Sequence, residues 1–474
     1  MLPGDQVGHP NFAARRSSRG IAGALGAALA LTAAAAHAQD PGTVGDLVKL
    51  PPSLGELRLA PELEAVLRAR SSLDVGSGAR AYGMGGAFLA RADDATAASW
   101  NPAGLSYLRR PELSIVGARH SFASEEFRPE TEFLETETGI GRIADFVAAT
   151  YPISIGSVSG AAQVSYQRAI TFTTEQDLEN PDIIRTGDSN GGFDVVALGT
   201  GLRVFNSLRL GGTLNRWLNG YTQTFIREPR VGRTRGRVDQ ASEYELSGWN
   251  ANVGAIWEPF ESLNVGVVGK TPFTADVSLR RERTDFSPSG STFTRNSAAS
   301  DDVRLDLPGA IGVGASWRPH GQLTLSADYT RTLWSRARIR NFFTLAPTPE
   351  GEEPLAPEES GDFFTSLPYP TFTVRAFDAE QIRAGVEYVM IHDRVRWPIR
   401  AGYFTNRQTF PAADGKSPRF NGGTLGLGMG VGPLLLDVAF VYETGDWVDP
   451  NLFQQSLTAR RVLVSMIYRH LGRR

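Results

Sequence analysis

The stretch RAYGMGGAFLARADDATAASWNPAGLSYL, Arg80 to Leu108, holds the residues with the most chemical promise. These are the cluster Gly83, Gly85 and Gly86, the adjacent carboxylates Asp93 and Asp94, and the turn Asn101-Pro102-Ala103-Gly104. The glycine spacing fits neither G-x-G-x-x-G nor a phosphate loop ending in Lys-Ser or Lys-Thr, which sets a nucleotide cradle aside. Two neighbouring carboxylates could draw a cation, but no further oxygen ligands are spaced around them, so capping or internal hydrogen bonding is the plainer role. Glycine and alanine let backbone come close to a neighbouring surface, and an Asn-Pro step favours a turn. The chain has no cysteine, and His120, His320, His392 and His470 lie far apart, so neither disulfides, thiolate sites nor a metal-ligand spacing is present and no cofactor is implied. His120-Ser121 supplies two members of a hydrolytic site without an orienting third. A net charge of -3 offers nothing to nucleic acid.

The elements that would position this stretch are legible on either side of it. Arg15, Arg16 and Arg19, an apolar run from Ile21 and the small-x-small triplet Ala36-His37-Ala38 read as a secretory signal peptide over residues 1–38. Residues 39–75 form an extension with a short helix at APELEAVLRARSS, residues 76–110 a non-strand segment, and residues 111–470 a run of long alternating segments. In Val303 to Trp317 the odd positions Val303, Leu305, Leu307, Ile311, Val313, Ala315 and Trp317 form one apolar face. Leu434, Leu436, Val438, Phe440 and Tyr442 form another, and Val462, Val464, Met466 and Tyr468 a third. The charges Asp302, Arg304, Asp306, Arg383, Glu387, Asp437 and Glu443 occupy the opposite faces, where they would line a polar lumen or hold a plug by ion pairs.

These segments exceed the usual sandwich strand and match the ~9–11 residues of a tilted membrane-crossing strand. Fourteen can be counted, joined alternately by short turns (SIGS, EPFES, RPHG, HD, GP) and longer polar loops, the largest from Asn341 to Ala379. Trp257, Trp317 and Trp397 stand beside short turns, and Tyr442 and Trp447 beside a long one, as interfacial girdles would. The pattern predicts an all-β protein: a fourteen-stranded antiparallel transmembrane β-barrel of the bacterial outer membrane, both ends periplasmic and long loops extracellular. So wide a lumen calls for a plug unless the barrel is a porin, and residues 76–110 are the expected hatch. Gly426, Gly428 and Gly430 would then face it, or simply bend their own strand.

GARAYGMGGAFLARADDATAASWNPAGLSYL resembles the N-terminal hatch signature of the FadL/TodX family of long-chain fatty acid and aromatic-hydrocarbon outer-membrane transporters. The likeness continues in GKTPFTADV, LDLPGAIGVGASWRP and IRAGYFTN, covering residues 76 to 468. It implies that a hydrophobic small molecule is captured from outside and leaves sideways through the wall near a kinked third strand. On that basis Asn101-Pro102-Ala103 would abut the kink, and Gly156 or Gly160, on the wall facing the hatch, would permit it. The implied partners are outer-membrane lipid, the hydrophobic ligand and the barrel assembly machinery. The family's usual terminal aromatic is replaced here by RHLGRR after Tyr468. The same wording also resembles the PorV-like barrels, which imply a protein secretion or surface-display partner instead.

Overall fold

A computed structural model describes residues 76–470 apart from 129–132, 173, 180–182, 230–235, 288–292, 341–375 and 450–451. The expected signal peptide, the extension 39–75 and most of the largest loop lie outside the described residues.

Long alternating segments form strands where the sequence places them. They are β1 (Glu112–Arg128), β2 (Phe133–Ile155), β3 (Val158–Thr171 and Thr174–Glu179), β4 (Ile183–Phe205), β5 (Leu208–Leu218 and Gly220–Pro229), β6 (Val238–Phe260) and β7 (Leu263–Lys270 and Phe273–Phe286). The second half comprises β8 (Phe293–Leu307 and Ala310–His320), β9 (Leu323–Thr332 and Arg338–Arg340), β10 (Ala379–His392), β11 (Val395–Arg407), β12 (Arg419–Val431), β13 (Leu434–Val448) and β14 (Gln454–Arg469). Each pairs antiparallel with the next, and β14 returns to β1 from Glu112–Arg469 to Phe127–Gln454, so the fourteen-stranded sheet closes without an edge.

Six connections are two-residue turns at one end of the barrel, and three of them place Gly156, Asp393 and Gly432 at positive φ of 61, 52 and 56°. Hairpins this tight favour positive φ because their twist then matches that of the strands. Gly156 is therefore a turn residue with open space where its Cβ would be, not part of a wall facing the hatch. Gly160 is likewise reassigned: a Cβ there would meet Gly201 and Leu202 of the adjacent strand rather than the hatch.

The outer surface carries the apolar belt that lipid requires. Leu425, Leu427, Val438, Phe440, Val464 and Met466 are exposed, with Trp257, Trp317, Trp397 and Tyr468 near the short turns. Trp447 departs from the expected girdle, packing instead on Phe410 and Phe420 at 5.3 and 5.4 Å.

β8 shows a larger departure. Val303, Leu305 and Leu307 are buried inside the barrel, whereas Ile311, Val313 and Trp317 face outward. Pro308-Gly309 separates the two pieces; proline has no N–H for the ladder, and the alternation resumes one residue out of phase. Arg304 consequently lies on the outer face beside Asp276, and Asp306 lies there too, accepting from Thr274 Oγ1 at 2.6 Å. Neither is a luminal charge, and the side chain of Asp302 lies outside the described residues.

The corrected phase makes a test. Val313→Arg should lower stability in lipid by ~2–4 kcal/mol, whereas Arg304→Gln should stay within ~0.5 kcal/mol of the parent. Reversible denaturant unfolding in vesicles measures both, and equal effects would mean that the faces do not switch at Pro308.

Candidate functional site

Inside the barrel, residues 76–110 fold into α1 (Ala79–Gly83), α2 (Ala97–Trp100) and a 3-10 helix (Pro102–Tyr107). Such short helices cannot stand alone. Trp100 holds them together: its ring meets Tyr82 and Phe88 edge-on at 5.8 and 5.9 Å, and its Nε1 donates to the Ser77 carbonyl at 2.7 Å. Ala81, Phe88, Leu89, Trp100 and Leu105 are all buried at 1 % exposure or less.

Contact with the wall is made backbone to backbone. Gly85 and Gly86 turn the chain at φ of 68 and 75°, letting Gly85 N donate to Thr424 Oγ1 at 2.9 Å. Opposite the hatch, Gly201, Gly211, Gly254, Gly266, Gly385, Gly402 and Gly426 occupy positions where a Cβ would run into hatch atoms; at Gly426 it would lie 2.8 Å from the Gly83 Cα. Of the three glycines expected from β12, only Gly426 serves this purpose. Gly428 sits over Asp437 and Arg400, and Gly430 over Leu435 and Arg396. Glycines on the inward phase of several strands were the available signal.

Asn101 is fully buried and organises the tip. Its Oδ1 accepts from Ala103 N at 3.1 Å, while Nδ2 donates to the carbonyls of Leu89 at 2.9 Å, Ala255 at 3.1 Å and Val267 at 3.4 Å. Ala255 and Val267 belong to β6 and β7, which are regularly paired there. Asn101 therefore fastens the turn to β6 and β7, using spare carbonyl lone pairs rather than freed backbone, while the 3-10 helix that begins at Pro102 lies against β3 to β6.

β3 is nonetheless interrupted at 172–173. Its pairing with β2 stops at Phe146–Gln167 and resumes at Ile140–Glu175, so residues 141–145 have no ladder partners on β3 among the described residues. Beside this gap, Asp145 bulges from the β1–β2 ladder and accepts from Ser77 Oγ of the hatch and from Arg461.

Charges pin the other side. Glu387 on β10 receives Arg91 at 2.6 Å and Arg80 at 3.4 Å from the hatch and Arg400 of the wall at 2.7 Å; Arg400 also grips Asp437 at 2.6 Å. Arg80 reaches Asp93 at 2.7 Å and Asp94 at 3.3 Å. Burial opposes the charge on Asp93, but Arg80 and Arg91 outweigh it and hold that carboxyl below the usual carboxylate range. Asp94 bonds within the hatch, accepting from Thr96 N at 2.9 Å and Thr96 Oγ1 at 2.6 Å. Of the other expected luminal charges, Arg383 lies over the Trp100 ring at 5.9 Å, and Glu443 accepts from Asn406 at 2.9 Å. Sequence reasoning missed Arg80, Arg91 and Arg400. It also missed Asp328, which accepts from Phe88 N and Leu89 N at 2.6 and 2.8 Å, although its inward phase on β9 was a usable signal. On the β5–β6 side, Arg209 lies 3.8 Å over the Tyr107 ring and meets Glu258 at 3.0 Å.

Toward the long-loop end, the lumen becomes apolar. Phe172, Phe193, Trp217, Tyr221, Tyr244, Leu279, Leu305 and Trp334 belong to one buried cluster. Tyr221 is stacked between Phe172 at 4.1 Å and Tyr244 at 4.5 Å.

Glu387→Gln should release the ionic side of the hatch while leaving an assembled barrel. Removing one partner of a buried pair costs ~3–5 kcal/mol. Ionic conductance and tryptic cleavage at Arg80 or Arg91 should both rise, and no change in either would count against the clamp.

No family model and no curated protein matches the sequence. Among solved structures, the chain is similar to the Ralstonia pickettii toluene transporter TbuX, with 14% identity, 84% of this chain and 100% of that one covered, and a TM-score of 0.56. It is similar to a Pseudomonas aeruginosa FadL homologue with 11% identity, 83% and 98% covered, and a TM-score of 0.55. The P. putida toluene transporter TodX gives 13%, 84% and 100%, and 0.53. At these identities the likeness establishes architecture: the chain has the fold of the FadL and TodX barrels.

Proposed function

We propose that the barrel carries hydrophobic small molecules across a bacterial outer membrane, with its short turns and both barrel ends in the periplasm and its long loops outside. The observation that carries this reading is the buried aromatic and aliphatic cluster in the long-loop half of the lumen, which would form the walls of a ligand chamber. Apolar surface facing a water-filled pore is unfavourable, whereas the same surface suits an apolar ligand. The solved structures of similar fold include proteins described as toluene transporters, which supports the same substrate class.

A molecule held in the chamber meets the hatch, which closes the direct route to the periplasm. Phe172 of the chamber stands at the interruption in β3, beside the unpaired stretch 141–145 of β2. Lateral exit there would move the ligand into the membrane without passage through water. Ser77 and Asp145 link hatch and wall at that place, so hatch movement would be felt at the opening.

Tyr221→Asp, which puts a carboxylate among the stacked rings, should lower uptake of toluene or a long-chain fatty acid at least about tenfold, because an unpaired buried charge is strongly disfavoured. Replacing Asn101 and Pro102 by alanine should also reduce uptake while leaving a heat-modifiable barrel. Uptake lost at unchanged low conductance supports lateral transfer; a large ionic conductance in the Asn101/Pro102 variant would make the segment a simple pore seal. Normal uptake with loss of secreted or surface-displayed cargo would overturn transport in favour of a secretion partner.

A further inference from the structure

A polar collar separates the apolar chamber from the hatch. At one level of the wall, Gln163 of β3, Gly199 of β4, Thr213 of β5, Asn252 of β6 and Lys270 of β7 stand in consecutive cross-strand register. Asn252 and Lys270 line a small cavity of about 60 Å³ floored by Ala98 and Ser99 of the hatch and reaching Trp217 and Phe273. Three groups in the collar are buried yet lack a hydrogen-bond partner: Gln163 Oε1, Thr213 Oγ1 and Asn252 Oδ1, in residues 3, 5 and 9 % exposed; of these three residues, Asn252 lines the cavity and the other two lie outside its lining. The Gln163 amide has a defined orientation, because its Nε2 donates to the Ala95 carbonyl at 2.8 Å and to Thr150 Oγ1 at 2.6 Å. Its oxygen is therefore an acceptor awaiting a donor.

Unsatisfied buried oxygens are costly and call for a partner. Because Lys270 stands beside Asn252, a cationic donor would be repelled. A carboxylate has no proton to give to amide oxygens. A hydroxyl both donates to Asn252 Oδ1 and accepts from the Lys270 ammonium, and both residues line the cavity. We infer that Asn252 and Lys270 of this collar form a head-group subsite for a hydrophobic molecule bearing a neutral hydroxyl, with its apolar body lying among Trp217, Phe273 and the rings above. The inference rests on the transport reading, and it goes further by separating hydroxylated ligands from bare hydrocarbons.

Three toluenes differing only at the para position provide the test: toluene, para-cresol and para-toluate, titrated calorimetrically against the full chain in nanodiscs with empty nanodiscs subtracted. Para-cresol should bind about tenfold more tightly than toluene, the equivalent of one net hydrogen bond. Asn252→Leu should bring para-cresol toward the toluene value without altering toluene itself, which also shows that the variant folds, whereas Thr213→Val, outside the cavity lining, should leave both values unchanged. Equal binding of para-cresol and toluene by the parent would overturn the hydroxyl subsite while leaving transport standing. Tightest binding by para-toluate would replace it with an anion site at Lys270. Failure of all three to bind would undermine the hydrophobic-ligand reading itself.

Discussion

A backbone inside hydrocarbon has no water to satisfy its N–H and C=O groups, and the closed fourteen-stranded ladder answers that constraint. Closure at this strand number leaves a lumen that wall side chains alone do not fill. The hatch therefore belongs to the same problem as the barrel. It brings buried backbone of its own into the lumen, where Asn101, Thr424, Asp328 and Ser465 provide hydrogen-bond partners. Wall glycines bring the two surfaces close enough for these bonds to form.

The attachments differ on the two sides. Against β4 to β7 the contact is close-packed backbone, with Asn101 and Tyr107 as polar fasteners. Against β9 to β13 the close backbone contacts at Gly385, Gly402 and Gly426 are joined by an ionic cluster with Glu387 at its centre. An isolated buried carboxylate would be expensive, but three guanidinium groups and the neighbouring Asp437 distribute the charge over hatch and wall. Such a cluster depends on geometry, so its partners must arrive together when the hatch docks.

Above the hatch, the usual barrel polarity reverses. On β8, the piece nearer the short turns presents Ile311, Val313 and Trp317 outward, while the piece beyond Pro308 presents Val303, Leu305 and Leu307 inward. The break in β7 does the same, with Val268 buried before it and Ala275, Val277 and Leu279 after it. These interruptions allow one continuous chain to show an apolar face to lipid along part of its length and an apolar face to the lumen along the rest. The chamber follows from that switch, and the proposed transport depends on it.

Strand number, the two-residue turns, the lipid face of β13 and β14, and the small-residue character of the hatch were all decided by the sequence, because alternation, turn chemistry and residue size act locally. The importance of Asn101, Asp94, Glu387 and Gly426 was also legible in residue type and position. Tertiary structure alone decided which side chains meet. Arg80 and Arg91 of the hatch and Arg400 of β11 converge on Glu387, and Asn101 finds β6 and β7. The phase change at Pro308 required it as well: alternation names two faces of a strand, but only the strand's path through the closed sheet determines which face meets lipid and which meets the lumen.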